Sequence, residues 1–165
     1  MRRMWAASAA IVLGAALSGL PALGQSPEPT TAVHVTGTET LHSDITVPPG
    51  DVVDGVMQIR GIHATTDEVA SDPRVSGTGT IVGNVDVYGM HGPQWGTFRI
   101  ENEGGAWEGT WRGVIYGGTV DTGTAWLVGS GDYDGLTYYY IFGGNNSDLV
   151  LETEGLIFPG EAPAP

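Results

Sequence analysis

The residues best placed to do chemistry stand in the stretch QWGTFRIENEGGAWEGTWRGVIYGG, residues 94–118. Folded about Glu103-Gly104, it sets Arg99 opposite Glu108, Thr97 opposite Thr110 and Trp95 opposite Arg112. That is an ion pair, a threonine pair and a cation over an aromatic ring, all on one face. As a site, Arg99 and Arg112 would hold an anion against Trp95, with Glu108 fixing the geometry. As a surface, the same residues form a solvated outer face whose exposed charge pairs contribute little. The surface reading is preferred, because an antiparallel sheet usually leaves one side wet. The other face of this hairpin sets large residues against small: Ile100 opposite Trp107, Phe98 opposite Gly109 and Gly96 opposite Trp111. A one-residue slip would mix the two sets, so the register selects itself. Phe98, Ile100, Trp107, Trp111 and Ile115 are therefore expected inside.

Other constellations are weaker. Asp132-Tyr133-Asp134-Gly135 has the look of part of a calcium loop, with Asp132 and Asp134 as ligands, but it lacks the distal bidentate glutamate of an EF-hand. Asp and Gly are also ordinary hairpin-turn residues, and the turn reading is preferred. His34, His42, His63 and His91 show no spacing of two or four residues, so a zinc site would have to be assembled by the fold. There is no Gly-x-Ser-x-Gly elbow to select a nucleophile. Asp86 and Glu101 offer carboxylates, as any acidic protein does, and no catalytic pair stands out. Tyr138 and Tyr140 share a strand face with Leu136 and Phe142, which reads as core. Asn145-Asn146-Ser147 matches a glycosylation sequon, relevant only to a eukaryotic secretory route.

The elements that must position these residues read as strands. Nine runs rich in β-branched and aromatic residues follow one another at short spacing: AVHVTGT, LHSDITV, GVMQIRGIHAT, RVSGTGTIVGNVDVYG, QWGTFRIEN, AWEGTWRGVIYG, GTAWLVGSG, GLTYYYIFGG and DLVLETEGLIFP. Such short connections predict antiparallel pairing. The pattern predicts an all-β fold, an antiparallel β-barrel of eight to nine strands, with a β-sandwich as the alternative. The long run at 74–89 is expected to bend at Gly77, Gly79 or Gly83. The sole helix candidate, TTDEVASDP, reaches Pro73 after barely two turns and reads as a short turn or loop.

The chain of 165 residues allows one domain with a real core. Residues 1–24 begin with Arg2 and Arg3, continue through an almost unbroken apolar run and end on Ala22-Leu23-Gly24, as a cleavable signal peptide does. Its alternative is an uncleaved anchor, disfavoured by Gly14, Gly19 and Pro21. Without a cysteine after the apolar run, lipid attachment there is excluded. Residues 25–31 read as a flexible linker, 32–159 as the barrel domain and 160–165 as a Pro-rich tail. The whole chain has no cysteine and no lysine and carries a net charge of −13; loss of Arg2 and Arg3 with the leader would make it −15. Disulfides and thiolate chemistry are excluded. Phosphate backbones and anionic lipids would be repelled, so neither nucleic acid nor a membrane surface is an expected partner.

The blocks SDPRVSGTGT, WGTFRIENEGGAWEGTWRGV, GSGDYDGLTYYY and GLIFPG resemble, in this order over roughly residues 70–160, those of a group of uncharacterised secreted bacterial β-barrel proteins. The resemblance implies a shared fold and brings no activity with it. More distantly, LVGSGDYDGL is similar to the glycine-rich turn of the allene oxide cyclase and dirigent barrels. Gly129-Ser130-Gly131 departs from that turn, and no position matches the plant cyclase's catalytic residues. The expectation is an extracytoplasmic barrel without a required cofactor, binding a small apolar or mixed ligand in its mouth or lumen. The alternatives are a barrel isomerase or cyclase, which requires an inward carboxylate or histidine among aromatics, and an envelope or matrix protein acting through its acidic surface.

Overall fold

A computed structural model of the protein describes residues 31–160, so the expected leader at 1–24, nearly all of the expected linker, and the tail beyond residue 160 lie outside the described residues. The chain forms nine antiparallel strands: β1 (Val33–Leu41), β2 (Asp51–Val53), β3 (Val56–Ala70), β4 (Gly77–Val87), β5 (Gly92–Asn102), β6 (Gly105–Tyr116), β7 (Val120–Gly131), β8 (Leu136–Asn145) and β9 (Val150–Pro159). They make one sheet in the order β1-β9-β8-β7-β6-β5-β4-β3-β2, and β1 also pairs with β3, so the sheet closes in a ring. Strand β2 hydrogen-bonds only to the start of β3, through the two-residue turn Asp54-Gly55. Both turn residues have positive φ, 52° and 82°, the conformation that a tight hairpin of this length demands. Among the described residues no helix is long and apolar enough to cross a membrane.

Side-chain alternation decides which face turns inward. In the β5–β6 hairpin, Ile100 faces Trp107, Phe98 faces Gly109, Gly96 faces Trp111, and Arg99 faces Glu108, the register read from the sequence. Phe98, Ile100 and Trp107 are buried, and Trp111 packs against the same cluster. The glycines admit the rings. A Cβ on Gly96 would stand 1.9 Å from the Val82 carbonyl oxygen and 2.9 Å from Trp111 Nε1, and one on Gly155 would meet Tyr140 Cβ at 2.5 Å. On β8, Tyr138, Tyr140 and Phe142 are all buried on one face, Tyr138 stacked on Tyr140 and Phe142 tilted against Tyr140.

Three expectations need correction. TTDEVASDP is no turn: residues through Ala70 continue β3, because Ala64, Thr66 and Glu68 alternate inward and complete the seam with β1. Only Pro73–Val75 coils, as a 3₁₀ turn capped by Asp72, whose carboxylate accepts from the Arg74 N–H at 3.0 Å. LHSDITV is no strand. Leu41 ends β1, and residues 42–50 run beside β3 with an isolated bridge between Thr46 and His63. Its apolar residues alternate, but Pro48 and Pro49 leave too little chain for a ladder. The bulge falls at Gly61 of β3, φ 73°, between Arg60 and Ile62, opposite rather than at the glycines of β4.

One end of the ring is packed solid. The Pro73–Val75 turn lies under it, and the fully buried Trp107 donates from Nε1 to the Arg74 carbonyl at 2.7 Å. Tyr133, from the β7–β8 turn, stacks on Trp107 with 5.1 Å between ring centroids and donates to Asn102 Oδ1 at 2.6 Å. Asn102 Nδ2 in turn donates to the carbonyls of Arg74 and Ser76. Each polar group taken from water here is repaid by a hydrogen bond.

Candidate functional site

The opposite half of the interior is hollow. A cavity of about 480 Å³ is walled by residues of eight strands, all but β2, including Ile59, Ala64, Ile81, Val85, Phe98, Trp111 and Phe142. At its outer end it is lined by the turns that carry Gly89, Met90 and Gly118, and by Ile45 and Val47 from the segment after β1. Exposed apolar side chains crowd this rim: Val47, Val52, Tyr88, Met90 and Tyr116 all stand in water. Trp111 lies over Gly83 and Gly96, and its Nε1 is buried without an acceptor among the described residues.

Polar groups enter this space in a fixed pattern. Alternation along Val35, Gly37, Glu39 and Leu41 turns Glu39 inward from β1, where it is 4% exposed and lines the cavity. Glu68 sits directly opposite on β3 and is also buried. Two carboxylates facing each other across one strand pair cannot both ionise cheaply. Burial, then the nearby Glu68 and Asp121, hold the Glu39 carboxyl well above its usual range. Burial pushes Glu68 up to about 7, partly offset by the hydrogen bond it accepts from Thr66 Oγ1 at 2.6 Å. The hydroxyls of Tyr138 and Tyr140 are also kept protonated, by burial first and then by these carboxylates. Asp121 of β7 lines the cavity as well and accepts from Gln94 Nε2. No cavity-lining residue among those described is Arg, Lys or His.

No family model and no curated protein matches this chain. The interior combines a largely apolar wall with the buried carboxyl of Glu39 and the phenol of Tyr140.

The residues singled out in the sequence lie elsewhere. Trp95, Arg99, Glu108 and Arg112 project from the outer face of the β5–β6 hairpin. Arg99 is clamped by Glu108 at 2.6 Å and by Glu101 at 2.6 Å, leaving it balanced by carboxylates rather than open to an anion. Trp95 and Arg112 are cross-strand neighbours as expected, yet the guanidinium over the Trp95 ring, 4.9 Å from its centre, is that of Arg60. Asp132 and Asp134 belong to the β7–β8 turn at the packed end, where the Asp132 N–H donates to Gly104 O at 2.9 Å and the Asp134 N–H to Gly131 O at 3.2 Å. Both are exposed, and among the described residues no three His, Asp or Glu gather as a metal site. Glu39 and Glu68 were missed. The signal for Glu39 was its place on the face of Val35 and Leu41; that for Glu68 was hidden when its segment was read as a loop.

Proposed function

We propose that this is an extracytoplasmic binding protein that carries a small, mainly apolar molecule in the open half of its barrel. The observation that carries the reading is the cavity of about 480 Å³ inside a ring whose other end is packed shut. That volume and its predominantly apolar wall are those of small-molecule sites in general. Such a void costs stability when empty, because its lining atoms lack partners on one side. The leader-like residues 1–24 support export, and the absence of cysteine makes the fold indifferent to the redox state it meets. Native mass spectrometry of the protein from an exporting host tests the reading. A discrete adduct of small-molecule mass, lost on mild denaturation, is expected; apo protein that also takes up no added apolar probe would contradict it.

A second reading, an isomerase acting on such a molecule, is favoured by one observation: Glu39 enters the cavity beside Tyr140, and burial holds its carboxyl well above its usual range. A buried acid of this kind is a proton donor poised for a reacting oxygen. Conversion of the co-purified molecule by wild-type protein and not by Glu39→Gln would distinguish catalysis from carriage.

A further inference from the structure

The ligand reading above leaves open which apolar molecules the cavity selects, and the following rests on that reading. The cavity's titratable walls are of one sign. Glu39 and Asp121 line it, Glu68 stands behind Glu39, and none of the described lining residues is basic. Asp121 has a partner in Gln94. Glu39 is 4% exposed, and the charged neighbours that act on its carboxyl, Glu68 and Asp121, are both acids. A buried carboxyl among acids ionises only at a cost, since the anion lacks a counter-charge.

We propose that the cavity selects an apolar amine, seated with its protonated nitrogen on the Glu39 carboxylate and its hydrocarbon part between Ile81, Trp111 and Phe142. An ammonium brings three donors and the missing positive charge to a group already stripped of water. A fatty acid is the wrong guest, because its carboxylate would enter a lumen with no cation and face Glu39 and Asp121. The predominantly hydrocarbon wall disfavours guests with further charges, and the net charge of −13 draws a cationic molecule toward the mouth.

The test compares octylamine, octan-1-ol and octanoate by calorimetric titration of the full protein near neutral pH. The octylamine is expected to bind at least about tenfold tighter than the alcohol, and octanoate more weakly than both. The comparison needs no variant. In Glu39→Gln, with folding checked by its melting curve, the preference for amine over alcohol should shrink to about twofold, whereas Arg99→Ala on the outer face should retain it. Equal binding of amine and alcohol, or a preference for octanoate, overturns the amine proposal and leaves the apolar carrier standing. An amine preference unchanged in Glu39→Gln overturns the assignment to Glu39. Failure of all three to bind overturns the carrier reading and this proposal together.

Discussion

At the scale of single residues, the consequential feature is the Glu39–Glu68 pair facing each other across β1 and β3. Both carboxyls bind their protons more tightly in the folded chain than in the unfolded one, where the ordinary value is 4.5. Their contribution to stability is therefore complete below about pH 4.5 and is lost as pH rises through the folded value, about 7 for Glu68. A shift of this size on Glu68 corresponds to stability on the order of 3 kcal/mol across that window. The melting temperature should fall as pH rises from about 5 to about 8, and Glu68→Gln should flatten the fall and melt higher than wild type at the alkaline end. A wild-type curve that rises over this range, or parallel curves for the two proteins, would count against the account. Outside the barrel the expectation reverses. Arg99→Ala breaks ion pairs in water, so its melting temperature should stay within about 2 °C of wild type. At the packed end, Trp107→Phe removes one of the two donors to Arg74 O and leaves Asn102 Nδ2 as the other, a loss of about 1 kcal/mol by chemical denaturation.

At the scale of elements, most of the barrel was legible, because the alternation of wide and hydrogen-only side chains leaves one workable register. Gly96 beside Trp111 and Gly109 opposite Phe98 are enough to place the β5–β6 hairpin. Where legibility failed, tertiary pairing had overruled local character. Residues 65–70 carry turn-like and acidic side chains, yet they are held extended because β1 needs a partner to close the ring. The same closure hid the candidate site: Glu68 looks like a loop acid until Ala64 and Thr66 are seen to share its face. Trp95 and Arg112 drew notice because their types suggest recognition, yet the same alternation that buries Phe98 and Trp107 already assigned them to the outer face, where they lie. The glycine argument has a direct check. In Gly96→Ala a methyl would be driven onto the Val82 carbonyl, so folding should be lost or the melting temperature lowered by more than about 10 °C. Gly143→Ala, whose added carbon would meet its neighbours at 3.6 Å, should fold normally. Equal tolerance of the two would mean that the strands do not approach as closely as described.

At the scale of the whole molecule, the two halves of the barrel divide the labour. Stability comes from the packed end, where Trp107, Tyr133 and Tyr138 meet in one cluster around the 3₁₀ turn. The hollow half is spared that packing and is rimmed by exposed apolar side chains, as the proposed entry of a hydrocarbon from water requires. The central claim is that the hollow half is a working site, and the uncharged probe N-phenylnaphthylamine tests it most directly. Titrated against wild-type protein, it should brighten and saturate at one probe per chain. In Ala64→Leu, which narrows the cavity wall without touching the rim, the signal should fall at least about tenfold while the melting temperature holds or rises. Undiminished binding to Ala64→Leu would place the probe outside the barrel and contradict the account.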